Sequence, residues 1–190
     1  MIGKEVFKSN KIKILILFII AFLLILLCFN YKRIFLFKEG LQYQFSSNEY
    51  SISQTNYDKE IYFDIDLNNI KKEINKKIEI EKDCFLQITD ISYYADQYEI
   101  MFESHGTYNY ENGLLYTANK YIFYEDNKFS IENVSMLTSN GMKWYNSSKA
   151  HIINKYGDSF SYSISKENIS NNHVYLTLSN LNIIRFKKIC

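Results

Sequence analysis

Residues 97–123 read QYEIMFESHGTYNYENGLLYTANKYIF. Two aromatic and aliphatic runs flank Asn112-Gly113, a dipeptide that readily takes the positive φ angles of a tight hairpin turn. With that pair as the turn, Phe102 faces Phe123 and Tyr108 faces Thr117. Ile100, Phe102, Tyr108, Tyr110, Leu115, Tyr121 and Phe123 then share one face, and a slip of one residue would scatter them. The stretch predicts neighbouring antiparallel strands.

Working outward, the same period of two recurs. Ile61, Phe63 and Ile65 alternate with Tyr62, Asp64 and Asp66, which predicts a half-buried strand over Glu60 to Asp66. Cys84 to Tyr94 reads as a further strand, and a turn over Glu125 to Lys128 leads into Phe129 to Leu137. Phe160, Tyr162 and Ile164 alternate with serines. After a polar turn over Lys166 to Asn172 comes a matching strand with Val174, Leu176 and Leu178, and Ile183 to Phe186 closes the chain.

Two stretches change period. Ile70, Ile74 and Ile78 are four apart, with Asn68 or Asn69 available as a cap, and this spacing predicts an amphipathic helix. Ser147 to Tyr156 predicts a second, with Gly157 free to take a left-handed stop. The expected fold class is therefore α+β: an antiparallel meander sheet with one or two short helices over residues 59–190.

The N-terminal region is of another kind. Residues 14–29 read ILILFIIAFLLILLCF, sixteen apolar residues preceded by Lys4, Lys8, Lys11 and Lys13. A helix crossing a hydrocarbon layer needs about 20 residues. Ile12 to Tyr31 supplies them if Lys13 snorkels to the headgroups. The sequence thus predicts a basic tail (1–13), a transmembrane signal anchor (14–31), a linker with a short strand at Leu41 to Phe45 (32–58), and an extracytoplasmic domain (59–190). Competing readings are a lipoprotein signal, because Cys28 closes the run, and a cleaved secretory signal. Three cations follow the span against four before it, which favours an inside N-terminus by one side chain.

Charge divides in the same place. Residues 1–40 carry seven Lys or Arg against two Glu, a net of +5, and residues 41–190 carry fifteen against nineteen acidic residues, a net of −4. A mildly acidic domain without a basic stripe argues against nucleic acid as a partner. The lipid bilayer, through residues 14–31, and another protein are the expected partners.

Each motif that could carry chemistry has a plainer reading. Cys84 and Cys190, outside the span, could form a disulfide if their Cα atoms approach within about 7 Å. Asp64-Ile65-Asp66 resembles the D-x-D element with which many glycosyltransferases hold a metal, but alternation alone puts solvated carboxylates there. Ser163 and Lys166 have S-x-x-K spacing on a strand running into a turn, where a dyad does not form. His105, His151 and His173 lie at no metal-ligand spacing. Asn133-Val134-Ser135, Asn146-Ser147-Ser148 and Asn168-Ile169-Ser170 are sequons of the kind an Asn- and Ser-rich chain contains by chance.

No catalytic, metal or cofactor site is expected from these residues. With 17 Tyr and 14 Phe, the first expectation is a non-catalytic binding or assembly module whose tyrosine-rich face (Tyr108, Tyr110, Tyr116, Tyr121) contacts a partner, since tyrosine buries its ring while its hydroxyl stays bonded. The alternative is a small membrane-tethered hydrolase or transferase using the dispersed carboxylates Asp64, Asp66, Glu99 and Glu103.

Overall fold

A computed structural model of the protein describes residues 2–124, 129–146, 153–169 and 172–189, less the side chains of residues 2–12, 14 and 29. The chain separates into two units, one up to residue 38 and one from residue 39 onward.

The first unit is helical. Helix α1 (Ile2–Glu39) has two arms, Leu15–Cys28 and Asn30–Glu39, bent by 58°. Apolar side chains on every side leave no polar stripe, and each large one from Leu15 to Leu27 is uncovered, the least exposed being Leu26 at 42%. Among the described residues no single helix is long and apolar enough to cross a membrane, whereas the two arms together are.

The second unit is β-rich. It opens with helix α2 (Leu41–Ser46), then strands β1 (Tyr50–Asn56) and β2 (Ile61–Asp66), helix α3 (Ile70–Glu73), and strands β3 (Lys77–Glu81), β4 (Cys84–Tyr94) and β5 (Gln97–His105). There follow β6 (Thr107–Tyr108), β7 (Asn112–Thr117), β8 (Asn119–Phe123), β9 (Phe129–Asn133), β10 (Met136–Ser139) and β11 (Met142–Tyr145). The last three are β12 (Ser159–Ser165), β13 (His173–Ser179) and β14 (Asn182–Lys188). They form antiparallel sheets in the orders β1-β14-β7-β6, β11-β10-β13-β2 and β12-β5-β4-β3, with β8-β9 as a separate hairpin.

The core has two parts. The larger lies among the second and third sheets and one side of the first, and contains Ile65, Leu86, Ile88, Phe102, Leu137, Tyr162, Leu176 and Leu178. The smaller joins Leu41, Tyr50, Leu115, Tyr121, Ile184 and Phe186. Adjacent residues thus go to opposite cores: Leu115 and Ile184 to one, Tyr116 and Ile183 to the other. Burial on both sides of β7 and β14 is why Leu114 to Tyr116 and Ile183-Ile184 read as continuous apolar runs instead of alternating.

Strands β2, β4, β5, β12 and β13 occupy stretches that the sequence marks as strands, and β14 falls on the closing apolar run. One break in period is accommodated by a bulge. Between Ile88 and Asp90 the register of β4 shifts against β5, and the extra residue lets both Ile88 and Ile91 face inward.

Several expectations are corrected. Asn112-Gly113 is no turn: Tyr108 pairs with Gly113, and the side chain of Asn109 closes the loop by accepting from the N–H groups of Glu111 (2.8 Å) and Asn112 (3.0 Å). Phe102 pairs with Ile88 and Phe160, and Phe123 with Phe129. The primed two-residue turns fall at Ala95-Asp96 (φ 50 and 60) and at the other Asn-Gly pair, Asn140-Gly141 (φ 49 and 81). The simple meander fails too, because β12 pairs with β5 while β13 lies between β10 and β2.

The helix predicted over Ile70 to Ile78 stops at Glu73. Asn75 turns to φ 72, and its N–H donates to Ile88 O at 2.7 Å, so Ile78 joins a strand opposite Leu86. Leu41 to Phe45 is helical, not extended. The expected linker holds β1, paired along β14, so the fold begins near residue 39 instead of 59. Of the helix expected over Ser147 to Tyr156, residues 147–152 lie outside the described residues, and 153–156 are not helical. Gly157 is no left-handed stop; an added Cβ would lie 1.8 Å from Ser104 O, and it is glycine for that approach. The Glu125 to Lys128 turn also lies outside the described residues.

Candidate functional site

The outer face of the second sheet carries exposed aromatic rings on neighbouring strands. Alternation in β2 turns Ile61 and Ile65 inward and Tyr62, Asp64 and Asp66 outward. The same period in β13 buries Val174, Leu176 and Leu178 and leaves His173, Tyr175 and Thr177 outside. Register places Tyr62 opposite Thr177, Asp64 opposite Tyr175 and Asp66 opposite His173. Tyr62 and Tyr175 are 71% and 74% exposed. Tyr145, on β11 of the same sheet, is 65% exposed.

A charged cluster borders the two rings. Asp64 Oδ2 lies 2.9 Å from His173 Nε2, and Asp64 Oδ1 lies 3.3 Å from Lys76 Nζ. Lys76 also donates to Asp64 O at 2.6 Å and to Glu73 Oε2 at 3.0 Å. Partial burial pushes the Asp64 carboxyl up, but the Lys76 hydrogen bond and charge, with His173 beside it, outweigh burial and hold it below the ordinary carboxylate value. The Lys76 ammonium is pushed down by burial and, more strongly in sum, up by Glu73 and Asp64. The Tyr62 hydroxyl donates to Glu60 Oε2.

Hollows flank Tyr175 on both sides. One, of about 450 Å³, is lined by Tyr62, Asp64, Thr138, Asn140 and Thr177 among others. The other, of about 200 Å³, includes Asn140, Asn168, Ile169 and His173. The result is an aromatic ridge with polar edges and shallow depressions.

The residues expected to form a tyrosine face do not form one. Tyr116 is buried in the larger core, its hydroxyl donating to Glu81 Oε2 at 2.7 Å. Tyr121 is buried in the smaller. Tyr108 and Tyr110 are half-buried, and Lys188 Nζ sits 3.1 Å from the centre of the Tyr110 ring. Because β7 has a core on each side, its Tyr116 serves packing. The exposed rings on β2 and β13 were legible as the polar half of each alternation.

The other candidates also find their places. Cys84 is a buried thiol, pushed up by burial, and Cys190 lies outside the described residues. Asp66 Oδ1 accepts from Asn68 N at 2.9 Å and caps the 3₁₀ turn Leu67–Asn69. With Asp64 paired to Lys76 and His173, the two carboxylates of the D-x-D stretch face different partners. Glu99 accepts from Ser161 Oγ at 3.0 Å and Glu103 from Asn154 Nδ2 at 2.6 Å, both on the third sheet. Neither hollow beside Tyr175 includes them. Ser163 is on β12, and Lys166 Nζ lies over the Tyr93 ring. His105 stacks on Phe85 and Tyr156, and His151 lies outside the described residues. Among the described residues no three His, Cys, Asp or Glu are grouped to hold a metal.

A buried polar network was not foreseen. Asp158, fully buried, accepts at Oδ2 from the Thr117 hydroxyl and from Asn119 Nδ2 (2.7 Å). Its backbone N–H donates to Ser104 Oγ at 3.0 Å, and Asn146 Nδ2 donates to Asn119 Oδ1 at 2.8 Å. The network ties the start of β12 to the β7–β8 corner, and a lone Asp between Gly157 and Ser159 carries no motif that announces it.

No known protein family matches the chain, and neither a curated protein nor a solved structure does.

Proposed function

We propose that this chain is a membrane-tethered, non-catalytic binding or assembly module, anchored through the apolar helix and presenting its β-rich domain on the extracytoplasmic side. Its partner is another protein, engaged through the Tyr62–Tyr175 face. The observation that carries the reading is the placement of two largely exposed tyrosines on adjacent strands, with hollows beside them and a hydrogen-bonding rim. Such rings bury apolar area on contact while their hydroxyls stay bonded, as interface tyrosines do. The anchor is supported by the run Leu15 to Leu27, whose uncovered apolar surface favours hydrocarbon over water by about 25 cal/mol per Å².

Site-specific photocrosslinking in intact cells tests the reading. A crosslinker at residue 175 is expected to trap a discrete protein adduct, absent when it replaces Met101 on β5. Equal labelling at both positions would reject the docking face. Protease digestion of right-side-out vesicles tests the orientation: the domain is expected to be degraded, and full protection would place it inside.

A further inference from the structure

A second site lies away from the tyrosine face. The β1–β2 connection (56–60) and the β13–β14 turn (179–182) run side by side, joined where Tyr57 N–H donates to Leu181 O at 2.8 Å. Between them and the neighbouring Lys120 and Val134 is a cleft of about 520 Å³, within the range of small-molecule sites.

A chain of amides ends in this cleft. Tyr121 N–H donates to Gln54 Oε1 at 3.0 Å, and a backbone N–H can only donate, which fixes the orientation of the Gln54 amide. Its Nε2 then donates to Asn182 Oδ1 at 3.3 Å. The nitrogen end of Asn182 remains, and it donates to no protein atom among the described residues. Asn182 is only 3% exposed and lines the cleft. The Asn182 nitrogen is not sealed in the interior, so this unused donor is open to an acceptor that enters the cleft.

The other lining groups narrow the ligand class. Lys59 is turned onto Glu81 (3.4 Å) and Lys120 onto Glu132 (3.4 Å), so both ammonium charges are already answered. That leaves little to hold a phosphate. Asp58 and Asn180, both exposed, also line the cleft and bring a carboxylate and an amide to it. Donors and acceptors set side by side match groups that both donate and accept, and vicinal hydroxyls do this.

We propose that the cleft bounded by Asn56–Glu60 and Ser179–Asn182 binds a neutral polyhydroxylated ligand, a saccharide, with the Asn182 amide nitrogen donating to one hydroxyl oxygen and Asp58 accepting from another. The cleft adjoins the tyrosine face at Glu60, which accepts from the Tyr62 hydroxyl, whereas Tyr175 does not line it.

The test is saturation-transfer NMR on the full chain in a zwitterionic detergent free of sugar, with maltose, cellobiose and N-acetylglucosamine as probes and inorganic phosphate as the anionic control. Transfer to at least one sugar is expected, with a shift of the Asn182 side-chain amide resonances. Asp58→Ala and Asn180→Gly are surface changes, and Gly accepts the φ of 60 at position 180. Each is expected to weaken sugar binding about tenfold, while Tyr175→Ala leaves it unchanged. The proposal is overturned if no sugar receives transfer, if both cleft variants bind as the parent does, or if phosphate alone moves the Asn182 resonances.

Discussion

Gln44 Oε1 stands 2.0 Å from where a Cβ on Gly113 would lie. Gln44 is fully buried on α2, and its Nε2 donates to Asn109 O (2.8 Å) and Asn112 O (3.0 Å). Gly113 is therefore glycine because a helix side chain crosses over it. Gly113→Ala is expected to destabilise the fold by about 1–3 kcal/mol, the usual cost of overpacking. Gln44→Ala removes the obstacle, so urea denaturation of the double variant should show less loss than the two single effects combined.

Ala95 holds φ 50 in the β4–β5 turn, a conformation that costs an L side chain about 1–2 kcal/mol. Ala95→Gly keeps the Tyr93 hydroxyl bond to Asp96 Oδ1 (2.7 Å) and relieves the strain. A gain of about 0.5–1 kcal/mol is expected, read as a higher urea midpoint with an unchanged slope.

Asp158→Ala is expected to be among the more damaging single changes. It leaves the Thr117 hydroxyl and the Asn119 amide facing an empty position in the interior, and each lost buried partner costs about 1–3 kcal/mol. Thermal unfolding should shift down sharply; a change near zero would mean that the surrounding groups re-pair without it.

Asp64 and His105 each contribute to the domain's expected pH response. The Asp64 carboxyl is held below 3.8, so its contribution is complete above that value and is lost as pH falls through the lower folded value. His105 is held below 6.5, burial being the largest cause and Lys77 adding to it against the pull of Glu103. The folded state thus binds its proton less readily than the unfolded chain, and stability falls as pH drops below 6.5. In pH-dependent denaturation, His105→Phe should flatten the limb just below 6.5 and Asp64→Asn the limb below about 4.

Much of the strand content was legible because alternation records which side of a strand meets water. Glu60 to Asp66, Cys84 to Tyr94 and Val174 to Leu178 each bury the half that their pattern marks. Isoleucines at 70, 74 and 78 predicted a helix through Ile78, although 78 and 80 also alternate as a strand does. Pairing of Ile78 with Leu86 decided it. Asn140-Gly141 carried the same turn chemistry as Asn112-Gly113, and local sequence could not say that the latter would lie under Gln44.

Taken alone, the order of residues determined the outward side of β2, the apolar helix and the β-rich class, because these follow from side-chain periods and solvation along a short stretch. Which strands pair, which tyrosines are covered, and the meeting of Asn182 with Gln54 and of Asp158 with Thr117 were decided by tertiary structure. Those contacts join residues far apart in the chain, and only packing of both sides of the first sheet brings them within bonding distance.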